Sequence, residues 1–387
     1  MMCEGLDVNE DQPKAQGPRP SDRPVAVYIH TPFCPSKCGY CDFNSYAMTG
    51  EIMERTTRAT IEEIRRSPAR GRPAKTIFFG GGTPTFLSER QLLSILEAAF
   101  EAHPPLPDAE ITSEANPGTA DASKFLAMRK AGFNRISLGA QSFLDTDLLR
   151  LGRIHKAGEI ERAVGLARDA GFDNLNLDLM FALPGQSRRA WRSNLDRALA
   201  LQPEHLSLYC LTLEPNTPFY KQHLGGQLTQ PDDDEQVAMY EECLDATAAA
   251  GFDQYEISNF SKPGLACQHN LCYWAGEEYA GYGPGAVGFL AGERYTNLKH
   301  PERYCTAVES GDTISFERED IGPDTHRIER VMLGLRLNEG IDPGELRLSA
   351  SGIEKLQARG WVETDGARLR LTRAGRHFCS EATLELI

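Results

Sequence analysis

The feature that constrains the fold most is a short phrase, Ala-Gly-Phe followed by Asn or Asp, that occurs three times. It stands at residues 131–134, 170–173 and 250–253, each time after a helix-like stretch and before an apolar one. The glycine suits a helix C-cap, and the phenylalanine can pack between a helix and a sheet. The spacing of the copies indicates a unit of about forty residues, with one copy unmarked, which is the length of a strand–helix unit.

Apolar, strand-like runs alternate with helix-like segments through the first two thirds of the chain. The predicted strands are residues 25–30, 75–80, 110–115, 135–140, 174–182 and 205–212. The predicted helices are residues 51–67, 88–102, 121–131, 159–170, 187–201 and 234–250. Six alternating units predict an α/β fold whose parallel sheet curves into a (β/α)6 barrel or partial barrel. Later segments, with a hairpin turn at Asp365-Gly366, predict a small winged-helix-like C-terminal domain.

Composition and charge narrow the class of protein. Residues 1–24 are polar and rich in proline without an apolar segment, which predicts a disordered leader and no secretory signal. The net charge of −14 argues against a nucleic-acid partner, and no apolar run is long enough for an integral membrane segment. Ten cysteines without a signal indicate a reducing, cytoplasmic location. The predicted domains are the leader, a barrel at 25–313 and the C-terminal domain at 314–387.

Several predicted strands end on a polar or small side chain. In a parallel barrel, the C-terminal ends of the strands form the mouth at which active sites lie. Any one of these residues is most simply a turn or cap residue, but five at corresponding places indicate a shared site. The five strand ends are Gly80–Gly82, Glu114, Gln141, Asp178 and Tyr209.

Cys34, Cys38 and Cys41 follow the first predicted strand, so we expect them at the same mouth. Their spacing, C-x3-C-x2-C, suits a loop around a compact metal centre, with chance clustering as the alternative. Zinc would need a fourth ligand, and none of its usual paired spacings occurs. An iron–sulfur cluster held by three thiolates keeps one iron open to a substrate or cosubstrate.

With Tyr40, the cysteine motif resembles the signature of the radical S-adenosylmethionine (SAM) superfamily. Segments such as "FFGGGTPTFL", "EANPGT", "LDLMFALPGQ" and "HNLCYW" follow in the order of the coproporphyrinogen III oxidase-like family, over residues 25–387. The resemblance implies a [4Fe–4S] cluster on the three cysteines and SAM on its open iron. It also implies a low-potential electron donor, cleavage of SAM to a deoxyadenosyl radical, and a HemN-type C-terminal domain.

The resemblance also assigns residues to the binding of one SAM molecule, or of two. Glycines allow close backbone approach to a ligand, carboxylates suit hydroxyl and ammonium groups, and arginine suits a carboxylate. The residues that match the first SAM site are Tyr28, Tyr40, Gly81, Gly82, Thr83 and Glu114. Those that match the second site are Gln141, Arg153, Asp178 and Thr212.

The segment from residue 269 to 274 resembles an H-N-x-x-Y-W motif of heme-binding members of this family. A histidine can supply an axial nitrogen to iron, and tyrosine and tryptophan supply flat faces for a porphyrin. Without the family, a lone histidine is more often a packing residue, and the flanking Cys267 and Cys272 are interpreted as ordinary buried thiols rather than ligands or a redox pair. The residues implied in heme binding are His269, Asn270, Tyr273 and Trp274.

Residue 43 separates the members of the family. The oxygen-independent coproporphyrinogen III oxidases carry a fourth cysteine two residues after the third, whereas this chain has Phe43. The resemblance is therefore strongest to the heme chaperones, which bind heme as cargo and deliver it to respiratory hemoproteins, with transient membrane association. The alternatives are the oxidase, a radical SAM oxidative decarboxylase of porphyrin biosynthesis, and a methyltransferase that uses two SAM molecules.

Overall fold

The computed structural model describes residues 23–387, so almost all of the predicted leader lies outside the described residues. Its centre is six parallel strands paired in chain order, which confirms the predicted α/β architecture. These strands are β1 Val25–Thr31, β2 Ala74–Gly81, β3 Pro105–Ala115, β4 Arg135–Gln141, β5 Leu175–Phe181 and β6 His205–Cys210. The helices between and after them are α1 Glu51–Arg66, α2 Glu89–Ala102, α3 Ala122–Ala131, α4 Asp145–Leu151, α5 Ala157–Asp169, α6 Arg188–Ala200, α7 Pro218–Leu224 and α8 Asp233–Ala249.

The sheet extends beyond the six strands on both sides. Two short strands are added beside β6: β8 Asn259–Ser261 pairs antiparallel with β6, and β7 Asp253–Glu256 pairs antiparallel with β8. Strand β9, Tyr279–Tyr282, runs parallel to β1, and three antiparallel strands follow it: β10 Val287–Leu290, β11 Glu293–Asn297 and β12 Ser315–Asp320. The twelve-stranded sheet ends at β12 and β7, which do not pair with each other, so the barrel is partial.

The repeated Ala-Gly-Phe phrase has the predicted role. Helix α3 ends at Gly132, whose φ of 116° is left-handed, and the next residue, Phe133, is buried in the main core. Along the parallel strands, apolar side chains face the helices and alternate with inward-facing polar ones. On β5, for example, Leu175 and Leu177 belong to the core, whereas Asn176 and Asp178 hydrogen-bond to each other inside the barrel.

The C-terminal part has a small core of its own. It contains α11 Pro323–Gly334, α12 Ala350–Ala358, α13 Cys379–Leu386 and a hairpin of β13 Val362–Asp365 and β14 Arg368–Leu371. The remaining helices, α9 Gln268–Trp274 and α10 Pro301–Ser310, pack on the large sheet and on α1. Strand β12 lies beyond residue 314, where the sequence predicts the C-terminal domain to begin, and it pairs with the large sheet.

The two end strands of the large sheet have different surroundings. The C-terminal part covers β7, because Leu337 forms a β-bridge with Glu256 and the Asn338 N–H donates to the Tyr255 carbonyl at 2.9 Å. Strand β12 instead carries four consecutive exposed charged residues, 317–320. Between residues 23 and 387, no helix is long and apolar enough to cross a membrane.

Candidate cluster and cofactor site

Residues 32–46, which carry the three cysteines and which we call the cluster loop, follow β1 and are closed by hydrogen bonds within their own backbone. The Cys34 N–H donates to the Tyr46 carbonyl at 3.0 Å, and the Tyr46 N–H donates to the Pro32 carbonyl at 2.7 Å. Within the loop, the Lys37 ammonium donates to the Phe43 carbonyl at 2.5 Å. The loop thereby presents all three predicted cluster cysteines, Cys34, Cys38 and Cys41, to one cavity of about 290 Å³. We call it the cluster cavity.

The end of β2 supports this loop through backbone contacts. The Gly82 N–H donates to the Thr31 carbonyl at 2.7 Å, and the Thr83 N–H donates to the Phe33 carbonyl at 2.8 Å. A Cβ atom on Gly82 would lie 2.6 Å from the Phe33 carbonyl oxygen, so this approach requires glycine. The Thr83 hydroxyl also donates to the Cys34 sulfur at 3.5 Å. The predicted SAM-binding glycines therefore also hold the cluster loop in place.

His30 connects β1 to the far end of the loop. Its Nε2 atom lies 2.9 Å from the Asn44 carbonyl oxygen, which can only accept, so Nε2 carries the proton and Nδ1 accepts from the Tyr28 hydroxyl at 3.0 Å. Burial lowers the pKa of His30, which keeps the ring neutral. The Asn44 amide in turn donates to the carbonyls of Pro284 and Lys299, both at 3.0 Å. The loop is thus fixed to the β9–β12 side of the sheet.

Two carboxyl groups line the cavity that the cysteines face. Glu114 accepts from the Gly81 N–H at 3.1 Å, and burial, followed by the charge of Asp178, raises the pKa of Glu114 to about 8. Burial also raises the pKa of Asp178, although Asn176 and Ser137 donate to it at 2.7 and 3.1 Å. Both groups would bind a cationic ligand favourably, because a nearby positive charge would restore their ionised form.

Arg153 reaches the same cavity from the segment after α4. Its guanidinium donates to the Cys38 sulfur at 3.7 Å, to the Asn116 side-chain oxygen at 2.8 Å and to the Gly139 carbonyl at 2.7 Å. The Asn116 oxygen is also 2.9 Å from the His155 ring. Sequence reasoning did not assign Asn116 a role, although the motif "EANPGT" contains it. Asn116 therefore fixes the position of Arg153, which contacts the Cys38 sulfur and lines the cluster cavity.

The donor set fits the cofactors that the radical SAM superfamily uses. Among residues 23–387, no three His, Cys, Asp or Glu side chains are placed to hold a single metal ion, and the three thiols instead line the wall of a shared cavity. Burial raises the pKa of Cys34 and Cys41, so metal binding there would release protons. SAM carries a sulfonium, an ammonium and a carboxylate, which suit Glu114, Asp178 and Arg153.

A second cavity adjoins the first, and Phe43, Gly81 and Glu114 line both. We call it the tyrosine cavity, after the three tyrosines in its wall. Its volume is about 380 Å³, and it lies between the cluster loop, β1, α9 and the β9–β10 turn. Its lining residues are Tyr28, His30, Phe43, Asn44, Gly81, Glu114, Tyr273, Tyr279, Gly285 and Val287.

His269 lies under the tyrosine cavity and not in its wall. Its Nδ1 atom is 2.7 Å from the Thr76 hydroxyl and its Nε2 atom is 2.9 Å from the Tyr273 hydroxyl. The ring stacks on Phe78 with centroids 5.0 Å apart, and only 1% of the residue is exposed. Burial lowers the pKa of His269 to about 3. In the described structure, its ring nitrogens are therefore engaged inside the protein.

The structure brings most, but not all, of the predicted site residues together. The cluster cavity contains the three cysteines and eight predicted SAM residues: Tyr40, Gly81, Gly82, Thr83, Glu114, Gln141, Arg153 and Asp178. Tyr28 and Tyr273 line the tyrosine cavity. Thr212 is exposed after β6 and, like Asn270, lines neither cavity. Trp274 packs against the C-terminal part, with the Arg336 guanidinium 4.6 Å from its ring.

Cys267 and Cys272, which flank His269 in sequence, are buried. The Cys267 thiol donates to a Glu110 carboxylate oxygen at 3.3 Å, and the Cys272 thiol donates to the Gln268 carbonyl at 3.1 Å. Neither thiol lines the cluster cavity or the tyrosine cavity. Their internal hydrogen bonds are those of ordinary buried thiols.

Two family models match the chain, one on each part. The Radical SAM superfamily model matches residues 28–198, and the HemN C-terminal domain model matches residues 322–378. The solved structure of coproporphyrinogen III oxidase (HemN) from Escherichia coli superposes with a TM-score of 0.81, covering 94% of this chain and 90% of that one at 23% identity. The fold, with its three-cysteine loop, is that of a radical SAM protein.

Curated relatives specify the family further. The protein named heme chaperone HemW from Bacillus subtilis is 36% identical over 368 residues, which cover 92% of this chain and 97% of that protein. Its namesake from Haemophilus influenzae is 40% identical, covering 92% and 96%, and that from Escherichia coli is 44% identical, covering 73% and 75%. The chain belongs to the HemW family of radical SAM proteins.

Proposed function

We propose that this protein is a heme chaperone that holds a [4Fe–4S] cluster and SAM beside the heme that it carries. The observation that carries the proposal is the similarity, along 92% of the chain, to relatives named heme chaperones. Phe43 supports this function over coproporphyrinogen oxidation, because it stands where the oxidases carry their fourth cysteine. Phe43 also lines both cavities, so the difference falls at the site itself.

In this proposal, Cys34, Cys38 and Cys41 hold the cluster. A bound cluster supplies single electrons, received from a low-potential donor, for the reductive cleavage of SAM. The Thr83 hydroxyl and the Arg153 guanidinium donate to cysteine sulfurs, which favours the electron-rich, reduced state. The contribution of the chain is to hold the sulfurs in one wall and to place positive charge and hydrogen-bond donors beside them.

The same cavity supports the binding of one SAM molecule. Glu114 and Asp178 would take its ammonium and ribose hydroxyl groups, Arg153 would take its carboxylate, and the backbone at Gly81 and Gly82 allows close approach. The remaining first-site and second-site residues in this cavity, Tyr40, Thr83 and Gln141, would contact the same molecule. Thr212 lies outside the cavity, and the other three second-site residues line the same cavity as the first-site residues, which favours one SAM over two.

Heme is the proposed cargo, and respiratory hemoproteins are the proposed recipients. The segment from His269 to Trp274 supports heme binding because Tyr273 lines the tyrosine cavity, next to the cluster cavity. Asn270 and Trp274 would support this segment from outside the cavity. We place the protein in the cytoplasm and expect it to approach a membrane only while it delivers heme to membrane-bound recipients.

An anaerobic hemin titration of the cluster-reconstituted protein tests this function. We expect a saturable shift of the Soret band at one heme per chain, followed by transfer of that heme to a respiratory apo-hemoprotein. Under reducing conditions with SAM, incubation with coproporphyrinogen III is expected to yield no protoporphyrinogen. A protein that retains no heme, or one that decarboxylates coproporphyrinogen, would contradict the proposal.

A further inference from the structure

The tyrosine cavity has the lining of a site for a flat, apolar ring. Three of its walls are tyrosines from separate elements: Tyr28 on β1, Tyr273 on α9 and Tyr279 on β9. The Tyr273 and Tyr279 rings meet edge to face, with centroids 4.7 Å apart, so these two rings pack directly against each other in the wall. The volume of about 380 Å³ lies within the roughly 300–1,000 Å³ range of small-molecule sites.

Phe43 is one of three residues that line both this cavity and the cluster cavity. Its backbone is fixed, because its carbonyl accepts from the Lys37 ammonium at 2.5 Å and from the Ser45 N–H at 2.7 Å. The residue is 60% exposed, although the loop around it is held closely on both sides. A large aromatic ring on a fixed backbone, left uncovered beside two cavities, has a free face on which a ligand can stack.

We infer that the tyrosine cavity receives one edge of the heme macrocycle and that Phe43 stacks on the ring. This inference rests on the proposed function and specifies where in the protein the heme binds. Phe43 approaches the macrocycle from the cluster loop, and Tyr273 approaches from α9. The cargo site then borders the cluster cavity, and a bound macrocycle contacts the loop that carries the cluster cysteines.

The charges around the cavity set the orientation of the macrocycle. No cationic side chain of residues 23–387 lines the tyrosine cavity, and Glu114 contributes a carboxyl group. Heme carboxylates would be unpaired there, and burying a carboxylate without a partner is unfavourable. The vinyl-bearing edge therefore enters the cavity and the propionates remain in solvent, where a recipient can reach them.

Equilibrium binding of two porphyrins to three variants tests this assignment. The probes are hemin and metal-free protoporphyrin IX, which has the same ring but cannot be ligated through iron. We expect Phe43→Ala to weaken both probes about tenfold, because it removes a stacked ring without touching an iron ligand. Phe43→Trp, which keeps an aromatic face, is expected to bind both probes about as well as the wild type.

Phe316→Ala is the matched control. Phe316 lies on β12 and is 59% exposed, so its truncation removes a similar exposed ring from a surface outside both cavities. We expect the wild-type affinity for both porphyrins. Iron content after cluster reconstitution checks that each variant retains its cluster loop.

The outcomes distinguish a failure of the cavity assignment alone from a failure of the proposed function. If the wild type binds hemin and Phe43→Ala binds both probes with unchanged affinity, the assignment is wrong and the chaperone function stands. If Phe43→Ala weakens hemin alone, Phe43 acts on the iron and not by stacking, which also overturns the assignment. If the wild type binds no hemin, the proposed function fails, and the cavity assignment fails with it.

Discussion

The Nε2 atom of His269 and the hydroxyl oxygen of Tyr273 lie 2.9 Å apart, and both residues belong to the segment predicted to bind heme. The other ring nitrogen of His269 lies 2.7 Å from the Thr76 hydroxyl. Ligation of iron through Nε2 therefore requires His269 to exchange the Tyr273 hydroxyl for the metal. Of the two partners, Tyr273 is the one that lines the cavity.

This pair makes Tyr273→Phe an informative test of His269 as the axial ligand. We expect the substitution to strengthen hemin binding about five- to tenfold, because it frees Nε2 from a hydrogen bond worth about 1 kcal/mol. The ring of Tyr273, and with it the cavity wall, is retained. The measurement is a hemin titration followed by the Soret band under anaerobic conditions.

Tyr279→Phe is the control, because it removes a hydroxyl from the same cavity and leaves the Tyr273–His269 pair intact. It is expected to bind hemin like the wild type. A loss of the Soret shift in Tyr273→Phe would contradict the prediction and assign ligation to the Tyr273 oxygen. His269→Ala should abolish the shift, but it also leaves a void beside Phe78, so its thermal stability must be measured in parallel.

Gly82→Ala should separate β2 from the cluster loop. The new Cβ would lie 2.6 Å from the Phe33 carbonyl oxygen and 2.8 Å from that of Thr31, and neither backbone atom can move freely. We expect a loss of about 1–3 kcal/mol in unfolding free energy and a lower iron content after reconstitution. Gly165→Ala, on exposed α5 surface with no atom within 4 Å of its new Cβ, is the control. It should be neutral or slightly stabilising, and an unaffected Gly82→Ala would refute the close-packing argument.

Glu63 on α1 should make stability depend on pH. Burial raises its pKa to about 7, although Gly283, Asn297 and Tyr304 donate to its carboxyl oxygens. Because the folded pKa lies above the unfolded value of 4.5, this contribution is present below pH 4.5 and is lost as the pH rises through 7. The wild type should therefore lose about 3 kcal/mol relative to Glu63→Gln between pH 4.5 and pH 8.

Denaturant unfolding of both proteins at several pH values checks this prediction. Taking the difference between wild type and Glu63→Gln removes the contributions of the other titrating groups. A difference in unfolding free energy that stays constant from pH 4.5 to pH 8 would show that Glu63 does not titrate in this range. A difference that changes in favour of the wild type would contradict the sign.

Arg153→Gln should lower the midpoint potential of the bound cluster. The guanidinium is 3.7 Å from the Cys38 sulfur, and its positive charge stabilises the more negative, reduced state. Each ~1.4 kcal/mol of lost attraction corresponds to about 59 mV for a one-electron couple. A potentiometric titration followed by electron paramagnetic resonance measures the shift. Arg150→Gln makes the same charge change at an exposed position on α4 and should leave the potential unchanged.

The parallel core of the fold was predictable because its signals are local and repeated. Most central strands are runs of six or more residues in which apolar side chains predominate or alternate with polar ones, and the Ala-Gly-Phe phrase marks helix ends, as at Gly132. Strands β7 to β12 were not predicted. They have three to six residues each, too few for a clear alternation, and strands such as β8 and β9 are defined by the neighbours they pair with.

The site was predictable to a similar extent. Strand-end position and motif together identified many of the residues that line the cluster cavity, since parallel strands end at one mouth, but they missed Asn116. Thr212 follows β6 in sequence but is exposed, because the chain turns away there toward α7. The burial of His269 was also not predictable, since it depends on Thr76 and Phe78, nearly two hundred residues earlier in the chain.

The two ends of the open sheet have a consequence for the protein in solution. An uncovered strand edge is a template for pairing with another chain, and charged residues such as those at 317–320 discourage such pairing. The β7 edge relies instead on Leu337 and Asn338 of the C-terminal part. Removing that part would leave β7 uncovered, so the first change in a truncated protein would be self-association rather than altered chemistry at the cluster.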